Sequence, residues 1–352
     1  MSTTTYRVGF IGAGRPWKSE GATGFGMAYQ HADGYVGTGQ CTLAACADLS
    51  ADNAAAFAEK YGIPRTYSDY HTMLAEESLD IVSICTWPHL HAPMTIAAAK
   101  AGVKAIHCEK PMATTWGEAK EMARVCEENG VKLTFNHQRR FLGPFGAAKA
   151  QVEAGAIGKL LQIEGNCGDI YDWGTHWLDM FFFYHGETPA KWVLAQIDSR
   201  EAHNVFGVPL ENQAICEFQF EDGVRAFLAT GRDSQESAAH RLIGTEGILE
   251  VRNDAPHVRL MNASSNGWQT IEQPDNLHGP YSVERAIADI VDALATGRDS
   301  MLCAQNALRT TEVIFAAYES SRRRGRVDLP LTIDDNAFVS MLAEGVIGPK
   351  SV

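Results

Sequence analysis

Positive charge is what this chain has least to spare. Lys and Arg number 30 against 43 Asp and Glu, a formal net charge of -13. A surface for nucleic acid needs clustered positive charge, so that class of partner is excluded. The one dense basic run, Arg322-Arg323-Arg324-Gly325-Arg326, closes a helical pattern, where cations complement the C-terminal dipole. No apolar stretch reaches transmembrane length, and the first residues lack a charged-then-apolar signal pattern. The expectation is a cytoplasmic protein without a membrane partner. The eight cysteines form no Cys-x-x-Cys pair, and several sit in apolar runs, which points to reduced, buried thiols and no metal site. Repeats and low-complexity segments are missing too. At 352 residues the chain has material for two domain cores.

What is present is organised around Tyr6 to Asp48. Val8, Phe10 and Ile11 read as a buried parallel strand that runs into Gly12-Ala13-Gly14. Glycines there let the backbone turn sharply and approach a pyrophosphate at the start of the next helix. A second apolar run, Leu43 to Ala47, ends in Asp48, placed to take ribose hydroxyls and to repel a 2′-phosphate. The predicted cofactor is therefore NAD in preference to NADP. The usual third glycine is absent: Arg15-Pro16-Trp17-Lys18 stands in its place, and extra length lies between Arg15 and Phe25.

The first third continues as alternating strands and helices. Ser50 is expected to cap a helix ending before Gly62, and Asp69 to Glu77 reads as a short helix. Ile81–Cys85 is a strand, followed by a helix with Pro93 near its start. Val103–Cys108, a helix over Glu118–Asn129 and strand Val131–Phe135 complete the pattern. Repeated units of this length imply right-handed crossovers and a parallel sheet covered on both faces. From Lys191 to Gln273 the texture becomes strand after strand, separated by turns such as Glu221-Asp222-Gly223, and two helices close the chain. The predicted architecture is α/β: a doubly wound dinucleotide-binding Rossmann domain over residues 1–138, then an α+β domain over 139–352 with a largely antiparallel open sheet.

Ligands of a doubly wound sheet lie beyond the carboxyl ends of its strands. Thr86, Trp87, Pro88 and His91 occupy one such end and Glu109-Lys110-Pro111 another, so both should flank the nicotinamide. Pro111 restricts Lys110 to extended backbone, which aims its ammonium. A second cluster holds Asp169, Tyr171, Asp172, Trp173, His176 and Asp179; the spacing puts Asp172, His176 and Asp179 on one helix face. Arg15, Lys18, Arg139 and Arg140 are candidates to hold an anionic substituent of a substrate, and Trp17, Trp87, Tyr171 and Trp173 offer flat faces to a sugar ring.

Together the glycine turn, Asp48, Thr86-x-Pro88-x-x-His91, Glu109-Lys110-Pro111 and Asp172-x-Gly174-x-His176-x-x-Asp179 resemble the glucose–fructose oxidoreductase/inositol 2-dehydrogenase (Gfo/Idh/MocA) family. The likeness runs to the final helix and the tail Val327-Asp328-Leu329-Pro330. It implies an NAD(P)-dependent oxidoreductase of sugars, inositols or related polyols, assembled as a homodimer or homotetramer. Lys110, Asp172 and His176 are the implied catalytic trio. Gly12, Ala13, Gly14, Arg15, Trp17, Asp48, Thr86, Trp87, Pro88, His91, Glu109 and Lys110 are expected around the cofactor. Lys18, Arg140, Asp169, Tyr171, Asp172, Trp173 and His176 are expected around the substrate. The Arg15–Phe25 insertion and Trp87 depart from the family pattern and leave the substrate open. Two other classes share these features: a glycosidase of the same fold that oxidises its sugar transiently on NAD, and a non-catalytic NAD or sugar sensor. The intact trio argues against the sensor.

Overall fold

The computed structural model describes residues 5–231, 238–279 and 281–349, which fall into two compact units. The first comprises residues 5–114, 118–138 and 281–307. Its strands are β1 (Tyr6–Ile11), β2 (Cys41–Ala47), β3 (Arg65–Tyr67), β4 (Ile81–Ile84), β5 (Ala105–Cys108) and β6 (Lys132–Phe135). They pair in the order β3-β2-β1-β4-β5-β6, all parallel, the doubly wound order with its switch point between β1 and β4. The connecting helices are α1 (Met27–Thr38), α2 (Ala51–Tyr61), α3 (Tyr70–Glu76), α4 (Pro88–Lys100) and α5 (Trp116–Glu128).

Local chemistry sets these boundaries. Ser50 Oγ accepts from Asn53 N at the start of α2, and Gly62 ends that helix at φ 65°. Asp69 caps α3 through Thr72 N at 2.8 Å. Helix α5 starts two residues earlier than expected, at Trp116, and the start of α4 differs more. Helix α4 begins at Pro88, and Pro93 lies inside it. Pro88 has the φ a first helical position needs and no N–H to leave unsatisfied there, so it outcompetes the later proline as the start.

The segment 281–307 also departs from the division at 138/139, since it packs with the first unit. Helix Tyr281–Thr296 buries Val283, Ala286, Ile287 and Ile290, and it lies on α1 at Gly34. A Cβ at Gly34 would stand 2.9 Å from Ile287 Cβ. The amphipathic pattern announces a helix, but nothing in it names the neighbour.

The second unit comprises residues 115–117, 139–231, 238–279 and 308–349. Its sheet runs, edge to edge, Gln269–Thr270, Val258–Asn262, Gly247–Arg252, Ala238–Gly244, Leu160–Cys167, Arg225–Thr230, Gln213–Phe220, Ala190–Asp198, Val327–Asp328. Neighbours are antiparallel except the parallel pair Leu160–Cys167 with Arg225–Thr230. Period-two alternation turns Val193, Ile197, Cys216, Phe218 and Phe220 inward. There Phe181 and Phe182 of helix Gly174–Tyr184 stack on Phe218 at 6.4 and 5.8 Å. The other face leaves Leu194, Ile215 and Phe227 exposed on three adjoining strands. Among the described residues no helix is long and apolar enough to cross a membrane, and no His, Cys, Asp and Glu group is arranged for a metal ion.

Candidate active site

The carboxyl edge of the first sheet gathers most of the residues expected around a cofactor. Gly12 turns at φ 85° and Gly14 at φ 59°. A Cβ on Gly12 would come within 2.8 Å of both Thr86 Cγ2 and Cys85 O, so only glycine fits. A Cβ on Gly14 would meet nothing within 4 Å, so the turn opens outward here. Asp48 completes the cradle. Its Oδ2 accepts from Ala13 N and Gly14 N, both at 2.9 Å, and its Oδ1 accepts from Ser50 N at 2.8 Å. An open glycine turn with amides converging on an acid that ends β2 fits the pyrophosphate and adenosine ribose of NAD.

The Arg15–Phe25 insertion is anchored by its first residue. Arg15 donates to Asn53 Oδ1 on α2 at 3.1 Å and to Glu20 O at 2.7 Å. Lys18 adopts φ 64° and lays its ammonium 4.2 Å from the Trp17 ring centre. Trp17 remains 58% exposed. Gly26, φ 64°, is required where the insertion rejoins α1, because a Cβ would stand 2.7 Å from Arg15 O.

Beyond β4 and β5 the two strand-end motifs are tied together. His91, fully buried, brings one ring nitrogen 2.9 Å from Pro111 O and the other 3.1 Å from Thr86 O. Burial holds its pKa below the ordinary imidazole value despite both carbonyls. It is a tie, with no ring atom offered outward. Pro88 is buried at the first turn of α4 and Trp87 exposed beside it. Lys110 is half-buried and precedes a cis peptide bond to Pro111.

Glu109 reaches inward, where sequence reasoning had no partner for it. Its Oε1 accepts from Asn136 Nδ2 at 2.7 Å and lies 2.9 Å from His31 Nε2; His31 Nδ1 meets Ser83 Oγ at 2.8 Å and Cys85 Sγ at 3.4 Å. Burial alone would lower the His31 pKa, but Cys85 and Glu109 override it and raise it to about 10. Burial would likewise raise Glu109, yet His31, Asn136 and Lys110 bring it below the usual carboxylate value. Both shifts favour the charged forms, an imidazolium facing a carboxylate. His107, its ring tilted against His31 at 4.7 Å, is pushed well below the ordinary imidazole value by burial and by the His31 charge.

In the second unit, Asp169 organises the turn that leads into helix Gly174–Tyr184. Its Oδ1 accepts from Asp172 N at 2.5 Å and from Trp173 N at 3.1 Å, which fixes Tyr171 and Asp172 in place. Beneath it Glu211 accepts from Ile170 N at 2.5 Å and from Tyr318 Oη–H at 3.0 Å. Burial and the neighbouring Asp169 charge push Glu211 up to about 8. His176 is buried in the first helical turn, and its backbone N donates to Trp173 O at 3.0 Å. Tyr171 is buried, while Asp172 and Trp173 are partly exposed. Asp169 thus serves as the cap of this turn. Arg140, expected to meet substrate, is bound inside the fold: two nitrogens grip Asp179 at 2.8 and 2.7 Å and a third reaches Glu187 at 2.5 Å. Asp179 shares the helix face with His176, but its charge is spent on this pair.

Comparison with known proteins agrees with the geometry. Residues 6–137 match the oxidoreductase family described as having an NAD-binding Rossmann fold, and residues 166–250 match the GFO/IDH/MocA C-terminal domain. The chain is 26% identical over 336 residues to D-apiose dehydrogenase of Paraburkholderia graminis, covering 87% of this chain and 88% of that one. It is 26% identical over 326 residues to the NAD(+)-dependent scyllo-inositol 2-dehydrogenase of Bacillus subtilis, covering 86% and 93%. Among solved structures, levoglucosan dehydrogenase with NADH and levoglucosan superposes with a TM-score of 0.78 at 22% identity, covering 93% of this chain and 100% of that one. An NAD-binding doubly wound unit followed by the mixed, mostly antiparallel sheet places this chain in the Gfo/Idh/MocA family of NAD-binding oxidoreductases, whose relatives here are sugar and polyol dehydrogenases.

Proposed function

We propose that the protein oxidises a secondary hydroxyl of a sugar, polyol or glycoside with NAD. The observation that carries the reading is Lys110 at the end of β5, between Glu109, clamped by His31 and Asn136, and Pro111, tied to His91. A lysine so framed presents its ammonium with little backbone freedom, as stabilising a developing alkoxide requires.

Lys110 Nζ hydrogen-bonds the reacting oxygen and stabilises its negative charge. The imidazole of His176 takes the hydroxyl proton, the role for which histidine is suited near neutral pH. Asp172 orients that imidazole or holds a neighbouring hydroxyl. Gly12, Ala13, Gly14 and Asp48 hold the dinucleotide, which when bound supplies the hydride acceptor. The insertion beginning at Arg15 lies beside that cradle, with Trp17 and Lys18 available to cover the pyrophosphate. The test is a panel of sugars, polyols and glycosides incubated with NAD while NADH absorbance is followed. Net NADH from at least one of them, lost in Lys110→Ala and His176→Ala, supports the reading.

A further inference from the structure

Among the described residues, the guanidinium of Arg139 is a buried cation that no carboxylate faces. Arg139 is 6% exposed; its Nη1 donates to Leu277 O at 3.1 Å, and its Nε has no partner. No carboxylate of the described residues pairs with it, in contrast to its neighbour Arg140. Two indoles flank the charge, Trp177 at 4.6 Å and Trp173 at 5.8 Å. Cation–π contact offsets only part of the cost of taking an unpaired ion out of water.

Two more buried polar atoms close by also lack partners, Trp177 Nε1 and His240 Nε2. The His240 ring lies 4.9 Å from that of Trp177, and its Nδ1 meets Tyr184 Oη at 2.8 Å. Burial and the Arg139 charge hold His240 down at about 3, so it is neutral. The remaining titratable neighbours add no anion: burial pushes the Cys167 thiol and the Tyr184 hydroxyl well up, and burial with Arg139 lowers His278. Buried polar atoms are nearly always satisfied, and three unsatisfied ones around a single cation mark a place built for something else. The edge toward solvent is Trp173, partly exposed, with His278 stacked on it at 6.4 Å and 13°. Trp173 is also the residue that follows Asp172.

We infer that Arg139 anchors a carboxylate subsite, and that the ligand it takes is a sugar acid or polyol acid whose ring or chain lies against Trp173. One full positive charge matches one carboxylate. A phosphate, with nearly two charges at neutral pH, would need a second cation, and His240 and His278 do not supply it. This inference rests on the dehydrogenase reading only in taking the ligand to be the substrate.

The experiment titrates NAD-loaded protein calorimetrically with matched pairs: D-glucuronate and D-glucose, D-galacturonate and D-galactose, D-gluconate and sorbitol. Wild type should bind the acid of at least one pair about ten- to a hundred-fold more tightly than its neutral partner, the range of a charge-assisted hydrogen bond. Arg139→Gln should bring that ratio close to one, and Arg139→Lys should keep part of it. Trp177→Phe retains the ring and deletes the donor, so it should weaken the acid alone by a few-fold; it also serves if Arg139→Gln fails to fold. Equal binding of acid and neutral partner in every pair, or a preference that survives both Arg139→Gln and Trp177→Phe, overturns the subsite. Neutral sugars oxidised without any preference for acids would defeat the subsite alone. Acids held through Arg139 with no NADH formed would defeat the dehydrogenase reading alone.

Discussion

His31 and Glu109 stand 78 residues apart in sequence and 2.9 Å apart in the core of the first unit. Each is buried and each depends on the other's charge. Removing one partner leaves the other uncompensated, which costs about 3–5 kcal/mol. His31→Leu should therefore lower the urea-unfolding free energy by that order, and a loss below about 1 kcal/mol would contradict the pair. The pH dependence follows from both shifts. His31, raised to about 10, contributes stability in full below its unfolded value, lost as pH rises through about 10. Glu109, lowered, contributes above its unfolded value, lost as pH falls through the depressed one.

Asp48 should select NAD. Its carboxylate already collects three backbone N–H groups beside Gly14, and a 2′-phosphate brought there would face a fixed negative charge. Fluorescence titration should give a tighter constant for NADH than for NADPH, and Asp48→Ser should narrow the difference. NADPH binding more tightly than NADH to wild type would remove this role.

Glu211 should make the second unit less stable as pH rises. Its folded pKa of about 8 lies above the unfolded carboxylate value of 4.5, so between those values the unfolded chain has released a proton that the folded one keeps. Stability then declines by up to about 1.4 kcal/mol per pH unit across that window. Glu211→Gln should flatten the decline in thermal melts taken from pH 5 to 8. Parallel slopes for both proteins would show that Glu211 ionises normally.

The uncovered face of the second sheet should pair with a copy of itself. Leu194, Ile215 and Phe227 lie exposed on three adjoining strands of it, apolar side chains that a partner surface would cover. Light scattering should report a dimer or tetramer, and Leu194→Glu with Ile215→Glu should yield a monomer that still binds NAD. A monomeric wild type at micromolar concentration would contradict the assignment.

The features legible in the sequence were those written locally. A strand running into Gly12-Ala13-Gly14, Asp48 at the next strand end and Glu109-Lys110-Pro111 each carry their meaning within a few residues. Ile215, Phe218 and Phe220 show how far alternation reaches: it separates Ile215 from the two phenylalanines, which point inward. What stayed hidden depends on distant partners. His31 is one histidine in a helix until Glu109 reaches it from the end of β5. Arg139 and Arg140 are adjacent and chemically identical, yet one is clamped by Asp179 and the other lies against two indoles. The dense polar run Asn136-His137-Gln138-Arg139-Arg140 after an apolar strand was the available signal that this stretch turns inward.

The most direct test of net hydride transfer combines turnover and binding in one variant. With the responding substrate from the sugar and polyol panel, Lys110→Ala should form NADH about a hundred- to a thousand-fold more slowly than wild type, the cost of losing one oxyanion donor. Its NAD dissociation constant should stay within a few-fold. Near-normal turnover in Lys110→Ala would contradict the account. So would a wild type that cleaves aryl glycosides with trace NAD and accumulates no NADH from any substrate, which would make the protein a redox-neutral glycosidase.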